Sequence, residues 1–514
     1  MRPQLRRSDG GIASPDSASA DPGFGISGPS SERTAWLLLA ALTLLGLVLR
    51  FWHLGDWNFQ ATEIFTYRDS QRPQFGNARP LVYLLNYYLV RPLLSLDEFG
   101  MRLVPAIAGT IAIPALYLVG RRMVGSREAL FAALLVTLNP TQILYSQLGR
   151  YWSLVFLFCS IAPFALFLGV RDRNGRMFTL GVVATILAGL SHPVGVVSVG
   201  GPALLLLASL RREQLAQWWS HPGVRWGAVA LLVVFALALY RFVPLLHGWI
   251  SMHDQMPRYG QFLLPIQRPP GIKQLVRLTA LADSLTVPVV LAALSGVYLA
   301  WRAGVQRPVA LLLASIAVFH LGFLLLVSFR TSVSLYYLLP STPAFFLGAG
   351  LFLGWLCRVD WEVRPTWLVP ATVTLMMLAA SVPTVISDYR DGRRFDFRRA
   401  AQWLTQQIRP GDVVFSDQPM VLQHYLPQTK VVHLQQNPAP LADSLRLRGE
   451  GRSRLWVVAP AVSHAFRATL KERGLRQWIY GNCQLQNTLG RGRVDLRQHY
   501  LEVYRCPPDR LAGP

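Results

Sequence analysis

The stretch Phe99–Gly125 reads FGMRLVPAIAGTIAIPALYLVGRRMVG, an apolar run over 102–120 closed by the pair Arg121-Arg122. Because a helix rises about 1.5 Å per residue, about 20 apolar residues cross the roughly 30 Å hydrocarbon layer of a bilayer. Comparable runs occupy 35–49, 128–145, 152–170, 177–191, 194–210, 226–246, 281–301, 309–328, 335–356 and 367–387. They predict a polytopic α-helical membrane protein with about eleven transmembrane helices. Composition points the same way. Of 514 residues, 52% are hydrophobic and 15% charged, with a mean hydropathy of +0.32, which is outside the range of soluble domains.

Charge gives the helices a direction. The net charge is +23, from 50 basic and 27 acidic residues, and the basic residues lie between apolar runs or in the final domain. Membrane topology and lipid phosphate account for that pattern, so membrane lipids are expected partners and nucleic acid is not. With residues 1–33 taken as a disordered cytoplasmic tail, the loops on its side carry Arg121, Arg122 and Arg127; Arg171, Arg173 and Arg176; Arg211, Arg212 and Arg225; Arg302 and Arg307; and Arg358 and Arg364. The opposite face then receives a first outer loop, 55–101, the turns near Arg150, His192 and Arg330, the loop 247–280 and everything after Ile386. Residues 34–387 form the membrane domain in this reading. Residues 388–514 form a soluble extracytoplasmic α/β domain, with helix-like stretches at 397–408 and 464–473 and strand-like runs at 412–416, 430–434, 455–459 and 500–504. Cys159 and Cys357 read as packing residues, whereas Cys483 and Cys506 form a disulfide if that domain faces an oxidising compartment.

The first outer loop concentrates polar chemistry beside the membrane. Its segment Gly55–Pro80, GDWNFQATEIFTYRDSQRPQFGNARP, holds Asp56, Glu63 and Asp69 as bases or metal ligands and Arg68, Arg72 and Arg79 as phosphate binders. The next segment, Leu81–Leu94, is too short to span and suits an interfacial helix. His192 lies in SHPVG, where a turn histidine bonded to backbone is the plainer reading and a sugar contact the sharper one. His247, His253 and Asp254 fit no strong metal-ligand spacing. The chain has no GxxxxGK[ST], no GxGxxG, no GxSxG and no HExxH, so nucleotide-sugar, acyl-transfer and zinc-peptidase chemistry have no motif behind them.

In order along the chain, several motifs resemble the GT-C glycosyltransferases, in particular the bacterial branch related to protein O-mannosyltransferases and aminoarabinose transferases. An acidic pair after the first span corresponds to Thr62-Glu63. It is followed by RPLVYLLNYYLV at Arg79–Val90, the opening stretch at Phe99–Gly125, NPTQILYSQLGRYW at Asn139–Trp152, and YYLLPSTP at Tyr336–Pro343. The chain departs from the family pattern at Thr62, where Asp is usual, and at Tyr336, where Arg is frequent.

The resemblance implies inverting transfer of a sugar from a polyprenyl-phosphate carrier to a glycolipid, polymer or protein at the outer face of a bacterial inner membrane. On that basis Glu63 is expected to be the catalytic base, with Asp56 in reserve. Arg79, Arg150 and Arg330 are expected to bind phosphate or sugar, and Tyr151, Gln147 and His192 to line the cavity. A divalent metal is a further expectation, with no ligand set named. The competing classes are a lipid or sugar transporter or flippase, which calls for internal repeats or broken helices, and a non-catalytic scaffold.

Overall fold

The computed structural model describes residues 29–73, 75–77, 79–209, parts of 225–240, 272–276, 285–304, 306–329, 333–359, 361, 365–391, 395–434, 454–460, 477–489 and 500–506. Arg330, His247, His253, Asp254 and the stretch 464–473 lie outside them.

The first ten helices are α1 (Pro29–Phe51), α2 (Ala61–Asp69), α3 (Pro80–Leu85, continued by a π turn to Val90), α4 (Glu98–Gly120), α5 (Ser126–Leu138), α6 (Pro140–Ser146), α7 (Trp152–Cys159), α8 (Ala162–Arg171), α9 (Gly175–Ser191) and α10 (Val194–Ser209). Later helices cover Val287–Arg302, Arg307–Ser328, Thr342–Leu356 after a 3-10 turn at Leu335–Ser341, and Leu368–Ala379. Among the described residues, six helices are long and apolar enough to cross a membrane, or seven if α5 and α6 count as one bent span. The expected spans 177–191, 194–210 and 281–301 correspond to shorter apolar helices, and 226–246 is described only in part. Helix α1 starts at Pro29, inside the stretch read as a tail.

The expected single span 128–145 is broken. Pro140 has no N–H to donate and crowds the residue before it, so Asn139 is extended (φ −69°, ψ 123°) and its side chain caps the N–H of Gln142 at 3.0 Å. The chain bends by 59° there. The carbonyls left over at the end of α5 are met by Arg50 of α1, fully buried, whose guanidinium donates to Val136 at 3.2 Å and Thr137 at 3.4 Å. A cation at a helix C-terminus also meets the favourable end of the backbone dipole.

The bundle core is built on Tyr117, Trp152, Phe156, Phe164 and Phe346. Small residues let helices approach closely. A Cβ on Gly296 would lie 1.9 Å from the carbonyl oxygen of Gly348, so Val287–Arg302 and Thr342–Leu356 touch backbone to backbone. Outward-facing leucines of α1, Leu37 and Leu44 among them, stay exposed as lipid contact requires.

Beyond the bundle lies a five-stranded sheet of β1 (Val413–Ser416), β2 (Lys430–His433), β3 (Leu455–Pro460), β4 (Gln484–Leu489) and β5 (Leu501–Cys506) in the order β2-β1-β3-β5-β4. β1 runs parallel to β2 and β3, and β5 antiparallel to β3 and β4. The four strand-like runs of the sequence match β1, β2, β3 and β5 to within about two residues. β4, QLQNTL, is a largely exposed edge strand without apolar alternation, so hydrophobic periodicity gives it no signal. A Cys483–Cys506 disulfide ties its start to the end of β5.

The sheet domain packs directly on the loop 55–101. Phe59 and Ile64 of that loop and Met101 of α4 share one core with Phe397, Leu404, Val414, Leu422 and Trp456. Tyr425, at the end of the helix Pro419–Tyr425, accepts the N–H of Phe59 at 2.8 Å and donates to Glu98 at 2.7 Å. Tyr425→Phe strands that N–H away from water and is expected to cost about 1–3 kcal/mol, measured as a lower unfolding midpoint of the detergent-solubilised protein. An unchanged midpoint would show that the clamp carries no stability.

Candidate functional site

The site grows from α2. Successive helical residues are about 100° apart, so Glu63 and Thr62 face different ways. Glu63 points into the protein. It closes a capping box with Gln60, whose N–H it accepts at 2.8 Å, and its two oxygens take Arg102 Nε at 2.9 Å and Nη2 at 3.1 Å. Both side chains of this ion pair are completely buried. Arg102 spends its remaining donors on the carbonyls of Leu54 (2.9 Å), Trp57 (2.8 Å) and Asn58 (3.0 Å), which fastens the start of the outer loop to α4. The same Glu63 carboxylate accepts the N–H of Gly149 at 2.7 Å. That contact fixes the turn before Arg150, and a Cβ on Gly149 would sit 3.1 Å from Glu63 Oε1.

The other face of α2 carries Thr62, Thr66 and Asp69, spaced i, i+4, i+7. Arg150 lies along it, donating to the carbonyl of Thr62 at 2.8 Å, to Thr66 Oγ1 at 2.9 Å and to the hydroxyl of Tyr151 at 3.0 Å. Arg79 reaches that same hydroxyl at 2.5 Å. Both guanidiniums also lie over the Tyr151 ring, at 5.1 Å for Arg79 and 4.7 Å for Arg150. The loop holding Arg79 is pinned by Asn77, which accepts the Arg79 N–H at 3.0 Å and donates to Asp69 Oδ2 at 3.3 Å.

Aromatic rings line the remaining side. Trp152 stacks on Tyr336 with centroids 4.5 Å apart, Tyr337 meets Trp152 edge-on at 5.5 Å, and His192 lies 5.2 Å from Tyr151 and 4.9 Å from Trp152. His192 is buried. Its Nδ1 accepts the N–H of Val194 at 3.1 Å, the turn role that its sequence context suggested, while its Nε2 has no hydrogen-bond partner among the described residues. Burial, then the charges of Arg79 and Arg150, hold its pKa well below the usual imidazole value, so it is neutral beside two cations. Burial also lifts the phenol of Tyr83 to about 12, against the opposing pull of Arg150.

Arg79, Arg150, Tyr151 and His192 therefore come together as the sequence suggested, whereas three other candidates stand apart. Glu63 has its lone pairs taken by two backbone N–H groups and a guanidinium fork on the inward face of α2. Asp56 is half exposed, pairs with His53, and its backbone carbonyl accepts from Arg398. Gln147 points at the end of α1, donating to the carbonyls of Leu49 (3.1 Å) and Trp52 (2.9 Å). Arg102, Trp152 and Tyr337 were not singled out, and Tyr336 was noted only as a departure from the family pattern. A cation in the first turn of an apolar helix was the signal available for Arg102. Among the described residues no group of three or more His, Cys, Asp or Glu stands close enough to hold a metal, so no ligand set can be named.

Residues 78–240 match the family model described as dolichyl-phosphate-mannose-protein mannosyltransferase. No curated protein matches. Among solved structures, ArnT from Cupriavidus metallidurans in the apo state aligns over 94% of this chain and 100% of its own, at 15% identity and a TM-score of 0.53. ArnT bound to undecaprenyl phosphate aligns over the same shares at 15% identity and 0.54. The apo oligosaccharyltransferase of Archaeoglobus fulgidus aligns over 84% of this chain and 70% of its own, at 13% identity and 0.51. The chain thus has the fold of ArnT and of the archaeal oligosaccharyltransferase, and residues 78–240 resemble the mannosyltransferase family.

Proposed function

We propose that this chain transfers a sugar from a polyprenyl-phosphate carrier to an acceptor at the extracytoplasmic face of the membrane, by displacement with inversion at the anomeric carbon. The observation that carries the reading is the convergence of Arg79 and Arg150 on one tyrosine hydroxyl, in an aromatic pocket beside the first outer loop. Neither arginine forms an ion pair among the described residues, so two planar donor forks are present where a phosphate would need them. A lipid phosphate is a leaving group of low basicity, and fixed cations lower the barrier by holding the charge that develops on it. The match of residues 78–240 to a family acting on a dolichyl-phosphate sugar, and of the fold to a protein seen with undecaprenyl phosphate, supports this donor class. Basic loops on the opposite side and the Cys483–Cys506 bond, which an oxidising compartment favours, support the orientation.

The test is reconstitution of the purified protein in liposomes with undecaprenyl-phosphate sugars radiolabelled in the sugar, followed by chromatography of the products. Label moving from the carrier to added glycolipid, polymer or protein is the expected result. Carrier that crosses the bilayer without any transfer product would overturn the reading in favour of a flippase.

A further inference from the structure

The geometry points to Asp69 as the base that deprotonates the acceptor hydroxyl, taking over from the position where this chain carries Thr62. The assignment rests on the transferase reading above. Thr62, Thr66 and Asp69 fall within about 60° of one another around the α2 axis, and it is this face that Arg150 lies along. Position 62 lies on the same face of α2, about two turns or roughly 10 Å before Asp69. The other acids of the loop are committed elsewhere, Glu63 to Arg102 and two backbone N–H groups, Asp56 to His53, Asp97 to the N–H of Gly100, and Glu98 to Tyr425 and Arg398. Asp69 is half-buried, fixed by Asn77 through Oδ2, and within the electrostatic reach of Arg150, Arg79 and Arg72. Burial raises its pKa above the usual carboxylate value in spite of those three cations, which suits proton acceptance better than an ordinary surface acid would.

In the step itself, Asp69 takes the hydroxyl proton as the acceptor oxygen bonds to the anomeric carbon. The bond from that carbon to the carrier phosphate breaks, and its electron pair leaves on the phosphate between Arg79 and Arg150. Charge and atoms balance with no further reactant.

The experiment compares wild type, Asp69→Asn, Asp69→Glu and Glu63→Gln in liposomes, following both transfer from radiolabelled undecaprenyl-phosphate sugars and equilibrium binding of undecaprenyl phosphate. Asp69→Asn is expected to slow transfer about 10²–10⁴-fold, yet to tighten lipid-phosphate binding several-fold, since a negative charge leaves the anion's surroundings. Asp69→Glu should regain part of the rate, and Thr62→Asp added to Asp69→Asn should regain more than the single variant shows. The acid limb of the wild-type rate profile should lie above the ordinary carboxylate range. Transfer by Asp69→Asn at the wild-type rate overturns the assignment, as does a fall in transfer matched by an equal fall in phosphate binding, the mark of a structural role. If wild type transfers nothing from any carrier, the transferase reading itself fails, and binding by Asp69→Asn still reports whether this carboxylate faces the phosphate site.

Discussion

Glu63→Gln is expected to destabilise the folded protein by about 3–5 kcal/mol, because it leaves the Arg102 guanidinium buried without its counter-charge. Both members of the pair are wholly shielded from water, so neither can recover its loss by hydration. The amide also brings an NH₂ group where the carboxylate now accepts from Gly149 or Gln60, and a donor facing a donor adds to the loss. Arg102→Lys should recover little. A lysine keeps the charge but cannot hold two carboxylate oxygens and three loop carbonyls with one ammonium. The unfolding midpoint of solubilised protein checks both variants, and a Glu63→Gln protein that unfolds with wild type would refute the structural role. Because Gly149 precedes Arg150, the same variant should also weaken lipid-phosphate binding, the opposite of what is expected for Asp69→Asn.

The second large effect concerns the two arginines. Arg79→Ala or Arg150→Ala is expected to cut transfer about 10²–10³-fold, the usual consequence of deleting one fixed donor to a developing oxyanion. Arg150 should show the greater loss, since it also ties Thr62 and Thr66 of α2 to the tyrosine. Tyr151→Phe removes only the shared hydroxyl, and about a tenfold loss is expected from one hydrogen-bonding group. Lysine at either arginine position retains the charge and loses the fork, so it should fall between wild type and alanine. Initial rates with a labelled carrier, measured against carrier concentration, separate the two contributions. Alanine variants that turn over normally would remove the arginines from the site.

Some of this was legible in order and some was not, for reasons specific to each residue. Apolar runs need only be counted to find helices long enough to cross a membrane, so that reading needed no tertiary contacts. Arg79 could be named because charged groups at a membrane edge are costly and demand a reason, whereas Arg150 and Tyr151 were named through the family resemblance. The break at Asn139-Pro140 was visible as Pro in an apolar run, yet whether it bends or ends a helix depends on what receives the freed carbonyls, and Arg50 does so from 86 residues away.

The run Phe99–Gly125 by itself marked a helix long and apolar enough to cross a membrane, and the segment Gly55–Pro80 before it marked where acids and arginines gather in sequence. Only the tertiary structure decided which partners each acid meets. Glu63 and Asp69 are six residues apart on one short helix and equally acidic in sequence, but one face of that helix meets Arg102 inside the protein and the other meets Arg150. A carboxylate's role depends on which partners surround it and how much water reaches it, and those are supplied by α4 and by the turn at Gly149, neither of which is local to α2.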